Sequence, residues 1–158
     1  MQIKNWFIPL WCIFAILLSF IACKDKNQDK IVGTWERYDD RAAGTVVMVE
    51  KINDHFEGKI VKANGELAED GFVENDVKWR KITPQTATYF TGEDLNKGID
   101  KYGKVQYTDY HEVYFEIVAE DILRVTYFTN GFDDFGEKQK WKRIKDFQET
   151  YVADSLLK

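Results

Sequence analysis

The sequence contains little cysteine, proline, histidine or serine, with two residues of each type among 158. Both cysteines fall within the first 23 residues, so no disulfide can hold together the chain that follows. His55 and His111 are too few for a three-histidine zinc site, and no later cysteine can complete one. The serines, Ser19 and Ser155, lie towards the two ends of the chain, and no Gly-x-Ser-x-Gly nucleophile motif is present. These shortages predict a protein without a metal, a cofactor or a catalytic nucleophile.

Other signatures of chemistry are missing or weak. No glycine-rich phosphate-binding loop occurs. Carboxylates are numerous, but the sequence does not single out a catalytic pair among them. Residues 131–137 contain three acids that could bind calcium, yet their spacing differs from that of a known calcium loop, and we interpret them as a solvated turn. We expect both histidines at the surface and a protein that is not an enzyme, with an enzyme built on a barrel kept as a third alternative.

The charge of the chain argues against two classes of partner. It has 22 basic and 27 acidic residues, for a formal net charge of −5. Nucleic acids and anionic lipid headgroups are bound by basic patches, so this balance predicts neither as a partner. Without the first 22 residues, whose only charge is Lys4, 21 basic and 27 acidic residues remain and the net charge becomes −6.

The N-terminal segment has the plan of an export signal. Lys4 gives a positive start, and apolar residues then dominate up to Ala22, with no further charge before Lys24. A positive start, an apolar run and a small residue before the cleavage point are typical of a secretory signal peptide. A permanent spanning helix needs about 20 apolar residues, so this run is slightly short for one. Residues 1–22 are therefore predicted to be a signal peptide, with an uncleaved signal anchor as the alternative.

Phe20-Ile21-Ala22-Cys23 resembles the lipobox of bacterial lipoproteins, with Phe20 where leucine is usual. The resemblance implies cleavage before Cys23, acylation of that residue by palmitate and other chains, and attachment to a membrane. Residues 23–30 would then be the lipidated N-terminus and a flexible polar tether. Lys24 at the second mature position is similar to lipoproteins of the outer membrane, so we expect a location there in the cell envelope.

The rest of the chain is predicted to be all-β. Short runs rich in β-branched and aromatic residues, several with a period of two, are separated by turn residues. The predicted strands are 31–38, 44–51, 55–62, 77–82, 86–91, 111–118, 122–128 and 138–144. We expect polar loops at 63–70 and 92–103, a turn at Pro84, and a short helical tail at 145–158. About eight strands joined by short turns favour a single antiparallel up-and-down barrel over a sheet with exposed edges.

Two motifs at opposite ends of this region support the barrel. Gly33-Thr34-Trp35 lies in the first strand and Trp141-Lys142-Arg143-Ile144 in the last. They resemble the lipocalin and calycin superfamily, in which Gly-x-Trp opens the first strand and an arginine closes the last. The resemblance implies a lipocalin-like barrel over 31–144, closed by Gly33, Trp35 and Arg143, with a cation–π contact contributing about 0.5–2 kcal/mol.

A small barrel is either filled with side chains or holds one ligand. The candidate pocket residues are those expected to face inward, together with two aromatic residues of the middle strands: Trp79, Tyr89, Val113, Phe115, Ile117, Leu123, Val125 and Tyr127. We therefore predict a membrane-tethered lipocalin-like lipoprotein that binds or carries a small apolar ligand. Two alternatives stay open: the same residues simply pack the core, or the loops or the C-terminal tail of a non-enzymatic lipoprotein bind another envelope protein.

Overall fold

The computed structural model describes residues 28–100, 102–128 and 138–145. They form a closed barrel of eight antiparallel strands, preceded by a short 3-10 helix at Gln28–Ile31 and interrupted by one short α-helix. The elements in chain order are β1 (Gly33–Tyr38), β2 (Val46–Ile52), β3 (His55–Lys62), α1 (Gly65–Glu69), β4 (Val77–Pro84), β5 (Tyr89–Ile99), β6 (Val105–Ala119), β7 (Ile122–Tyr127) and β8 (Lys138–Ile144).

Each strand pairs with the next along the chain, and β1 also pairs with β8. In that last ladder Trp35 lies opposite Arg143 and Arg37 lies opposite Trp141. Closing the sheet in this way leaves neither β1 nor β8 with an unpaired edge. The predicted all-β class and the antiparallel up-and-down barrel of eight strands are confirmed.

Alternation along the strands separates the core from the surface. In β3, Phe56, Gly58 and Ile60 are buried and their neighbours are more exposed, as the period of two predicted. In β6, Val113, Phe115 and Ile117 are buried in the same way. The largest fully buried side chains are aromatic: Trp35, Trp79, Trp141, Phe56, Phe90 and Phe115. These rings fill the middle of the barrel.

The prediction of a polar loop over 92–103 is wrong for most of that segment. β5 continues to Ile99 and pairs with β6 along its length, as far as Ile99 opposite Val105. Polar residues such as Asn96 and Lys97 are compatible with a strand here because the backbone ladder to β6 supplies the hydrogen bonds. Sequence periodicity measures side-chain burial and therefore missed a strand whose side chains are mostly polar.

Three further predictions concern the segment 63–70, Pro84 and the C-terminal tail. The polar loop predicted at 63–70 is wrong, because it contains α1, whose Leu67 is buried. Pro84, predicted in a turn, is the last residue of β4 and lies opposite Phe90. The predicted helical tail lies outside the described residues after Lys145. Among the residues that the structure describes, no helix is long and apolar enough to cross a membrane.

The two ends of the barrel differ. At one end the 3-10 helix lies across the opening and buries Ile31 completely. We call this the plugged end; β1, β5 and β7 begin there. At the other, which we call the pocket end, β1 and β7 finish and the connections from β3 to β4 and from β5 to β6 are located.

Candidate functional site

A depression of about 420 Å³ occupies the pocket end of the barrel. Its lining comes from six strands, from α1 and from the segment after α1: Arg37, Glu66, Leu67, Asp70, Phe72, Lys78, Asn96, His111, Tyr127 and Gln139. Most of these side chains are polar or charged, whereas the middle of the barrel is aromatic. The open volume therefore lies above the apolar core.

The polar lining follows from strand alternation. On β1, the inward residue after Trp35 towards the pocket end is Arg37. The same change from an apolar to a polar residue, two positions along, occurs on three other strands: Val113 to His111 on β6, Val125 to Tyr127 on β7, and Trp141 to Gln139 on β8. Each strand thus ends its inward face with a hydrogen-bonding group, and the groups converge because the strands are neighbours in one barrel.

A buried network forms the floor of the pocket around Asp94. The Asp94 side chain is fully buried, and its Oδ1 lies 2.7 Å from Lys78 Nζ in an ion pair. Lys78 Nζ also donates to the carbonyl oxygen of Leu95 at 2.6 Å. Tyr127 Oη donates to Asp94 Oδ2 at 2.5 Å. The opposite charge and the hydroxyl together compensate the cost of burying the carboxylate.

The network continues to the core through an amide. Gln139 Nε2 lies 3.4 Å from Asp94 Oδ2 and 3.3 Å from Tyr127 Oη. Gln139 Oε1 accepts a hydrogen bond from Trp141 Nε1 at 3.3 Å. Because each member positions the next, the pocket floor is held in one arrangement rather than being a solvated surface.

The ionisable groups of the pocket are perturbed by burial. Burial lowers the pKa of Lys78, and the Asp94 carboxylate opposes that change by favouring the ammonium form. Burial and the neighbouring Asp94 charge raise the pKa of the Tyr127 hydroxyl, so it remains a hydrogen-bond donor. Desolvation raises the pKa of Asp70 as well, and the nearby carboxylates of Glu66 and Glu69 add to the shift.

Arg37 is a buried cation that lines the pocket. Its side chain is only 6% exposed, and its Nε donates to Asp40 Oδ2 at 2.7 Å. The guanidinium carbon lies 5.7 Å from the centre of the Trp141 ring, which places the group above the aromatic core. Among the described residues, the structure gives no hydrogen-bond acceptor to the two Nη atoms. Those atoms can serve a ligand in the pocket.

The sequence-predicted pocket residues are not gathered around an open volume. Trp79, Val113, Phe115, Ile117, Leu123 and Val125 are buried against the inner aromatic cluster. Tyr127 lines the pocket at its polar floor. Tyr89 lies on the outer face, where its ring stacks on Tyr114 with 5.5 Å between centroids. Trp79 Nε1 is buried without a hydrogen-bond partner among the described residues.

The three residues assigned to barrel closure meet at the plugged end. The Arg143 guanidinium lies 4.1 Å from the centre of the Trp35 ring. Its Nη1 donates to the carbonyl of Val32 at 2.7 Å, and its Nη2 to that of Lys30 at 2.5 Å. A Cβ on Gly33 would lie 2.5 Å from Arg143 Nη1, and Gly33 has a φ of +133°. Glycine is thus required there both by backbone conformation and by the approach of the arginine.

Other candidate sites have fewer features of a binding site. Within the described ranges, no cluster of three or more His, Cys, Asp and Glu side chains is arranged to hold a metal ion. His55 lies at the plugged end, and its hydrogen bond to Asp54, with a further one to Glu57, raises its pKa. A second depression, of about 740 Å³, lies beside the 3-10 helix, but Arg143 in its lining already donates to backbone carbonyls.

Of the ten residues that line the pocket, only Tyr127 was named as a pocket residue from the sequence. The missed strand residues that matter most are Arg37, Lys78 and Gln139, together with the buried Asp94. The signal that would have found them is the inward register of each strand, extended past its last apolar residue. No family model matches the chain, and comparisons with curated proteins and with solved structures give no match.

Proposed function

We propose that this protein is a lipid-anchored lipoprotein of the bacterial cell envelope whose barrel binds a small molecule in the pocket at its pocket end. The observation that carries the binding role is the depression of about 420 Å³ whose floor is a buried hydrogen-bonded network. Burying Lys78 and Asp94 under an open pocket has a free-energy cost that a filled apolar interior would avoid. A cavity with a few convergent polar groups is what a ligand site requires.

The position of the site favours a ligand with polar groups over a wholly apolar one. The apolar residues named from the sequence fill the interior, and the apolar part of the pocket wall is limited to Leu67 and Phe72. A ligand bound there places its polar atoms on the floor and an apolar portion against these two side chains.

The lipocalin-like character of the barrel is part of the proposal. It is supported by Gly33 and Trp35 in the first strand, Arg143 in the last, and the contacts among them. The lipid anchor is supported by the sequence before Lys24, and we place the protein at the outer membrane on the basis of that lysine. The 3-10 helix lies at the plugged end and comes first among the described residues, which supports an arrangement in which the pocket faces away from the anchoring membrane.

The anchor is tested by metabolic labelling with palmitate. We expect label on the wild-type chain, none on Cys23→Ser and an undiminished amount on Cys12→Ser. Cys12→Ser is the matched control because Cys12 also lies in the first 23 residues but follows Trp11, which is too large for the residue before a cleavage point. Label that persists on Cys23→Ser would show that lipid is not attached there.

Binding is tested by hydrogen–deuterium exchange on the full-length protein, with and without the small-molecule fraction of the cell envelope. We expect slower exchange in α1 and at the pocket end of β5, because these segments line the pocket. Exchange at the β6–β7 turn of the plugged end should not change. Equal effects at both ends, or none in α1, would contradict a site in the pocket.

A second candidate function is supported by a separate observation. The connection from β5 to β6 exposes apolar side chains in a short space: Ile99, Tyr102, Val105 and Tyr107. Tyr102 is 80% exposed. Such a group is more typical of a contact surface than single scattered residues are. A non-enzymatic lipoprotein that binds another envelope protein through this connection is therefore the alternative.

That alternative is tested by cross-linking in intact cells. The double substitution Tyr102→Ser and Val105→Thr should abolish a cross-linked product if the connection is an interface. Val118→Thr, an exposed apolar position at the plugged end, is the matched control and should leave the product intact. Retention of the product by the double variant would remove the support for this function.

A further inference from the structure

The chemical class of the ligand can be narrowed from the Arg37 side chain. The Arg37 side chain lines the pocket although it is only 6% exposed, and one of its three nitrogens is paired with Asp40. Asp40 is itself fixed, because its Oδ1 accepts a hydrogen bond from the Ala42 amide at 2.9 Å. The guanidinium is therefore held in place through Nε, and among the described residues its two Nη atoms have no hydrogen-bond acceptor.

A guanidinium edge matches one group particularly well. Its parallel N–H donors fit the two oxygens of a carboxylate, and such charge-assisted pairs are stronger than neutral hydrogen bonds. Inside the barrel the pair would also be screened less than at the surface. With water alone in the pocket, the fixed guanidinium of Arg37 would lack the anion that its donors match.

The charges around the pocket determine how strongly an anion would bind there. Lys78 is paired with Asp94, and Glu66 is paired with Arg41 at 3.1 Å. Asp70 also lines the pocket, and among the described residues its carboxylate has no ion-pair or hydrogen-bond partner. A bound anion would be attracted by Arg37 and repelled by Asp70.

We propose that the pocket recognises a small carboxylic acid, whose carboxylate is bound by the two Nη atoms of Arg37 while its apolar portion contacts Phe72 and Leu67. The inference rests on the proposed ligand-binding function and names the class of ligand. The ligand carboxylate accepts the hydrogen bonds, and the buried network around Asp94 lies beneath it.

The experiment uses ¹⁹F NMR on the full-length protein in a nonionic detergent. Three probes share one tail and differ in the head group: 4,4,4-trifluorobutyrate, 4,4,4-trifluorobutan-1-ol and 4,4,4-trifluorobutylamine. We expect the acid to bind at least about tenfold more tightly than the alcohol or the amine, since a charged hydrogen-bonded pair is worth about 1.5–3 kcal/mol.

Two substitutions assign the effect to its residues. Arg37→Met should weaken binding of the acid about tenfold or more, whereas Arg124→Met, at an exposed arginine outside the pocket lining, should change it little. Asp70→Asn should strengthen binding severalfold, because it removes a like charge. This last variant keeps the proposal testable if Arg37→Met fails to fold.

The outcomes separate the two proposals. Equal binding of all three probes would overturn carboxylate recognition and leave ligand binding in place. Acid binding that is weakened by Arg124→Met as much as by Arg37→Met, or not strengthened by Asp70→Asn, would also overturn it. No binding of any probe, together with no change of hydrogen exchange in α1 by the envelope fraction, would overturn the binding function as well.

Discussion

Arg143 joins the first and last strands through a single side chain. It lies over Trp35 and donates to carbonyls of the segment that plugs the barrel. Arg143→Met should lower the free energy of unfolding by about 2–3 kcal/mol, because it removes a cation–π contact and charged hydrogen bonds. Denaturant unfolding measures this loss.

Arg124→Met is the control for that prediction. Arg124 is an arginine on β7, and its ion pair with Glu116 is exposed to solvent. Exposed pairs contribute about 0–1 kcal/mol, so the control should cost less than 1 kcal/mol or so. Equal losses of unfolding free energy in the two variants would show that Arg143 stabilises the fold no more than a surface arginine does.

Asp94 and Lys78 form a buried pair whose members are tolerated only together. Asp94→Leu should destabilise the fold by about 3–5 kcal/mol, because it leaves the Lys78 ammonium buried without its counter-ion. The double variant Asp94→Leu and Lys78→Met should recover most of that loss. Thermal and denaturant unfolding of the single and double variants measure the coupling, and additive losses would contradict an ion pair.

These residues also show where sequence reasoning stops. Tyr127 was named because it continues the alternation of Leu123 and Val125, and it does line the pocket. Asp94 and Lys78 were not named, because sequence patterns assign a charged residue to the surface unless its ion-pair partner is known. Their pairing joins positions on β4 and β5. Only the folded register brings the two charges together.

At the scale of strands, Gly58 makes room for the central aromatic cluster. A Cβ at that position of β3 would lie 2.7 Å from Trp79 Cε3 and 2.9 Å from Val47 Cγ1. Gly58→Ala should lower the free energy of unfolding by about 1–3 kcal/mol, since overpacking forces these side chains to move. Lys59→Ala, the next residue on the outward face, should change it by less than about 0.5 kcal/mol.

The same strand illustrates what a regular pattern can predict. β3 was predicted with its observed bounds, because its inward residues Phe56, Gly58 and Ile60 alternate with outward residues that are mostly polar. β5 was predicted only as far as Thr91, because the residues from Gly92 onward are mostly polar, whereas the strand continues to Ile99 through its backbone pairing with β6. Hydrophobic alternation therefore locates strands of the core well and strands of the rim poorly.

At the scale of the whole molecule, the two ends of the barrel differ. The plugged end holds the 3-10 helix, which begins at Gln28, and the contacts of Arg143 with Trp35, Lys30 and Val32. The pocket end carries the open volume, the buried charges and the exposed connection from β5 to β6. An anchored protein built in this way would present its binding groups away from the membrane that holds it.

Native mass spectrometry of the full-length protein, released gently from membranes, tests the ligand-binding claim most directly. The wild-type chain should carry a non-covalent adduct of small mass. Asn96→Trp, which fills the pocket, should lose it, whereas Thr108→Trp, at an exposed position outside the lining, should keep it. A wild-type chain without an adduct, or an adduct that Asn96→Trp retains in full, would contradict a ligand site at the pocket end.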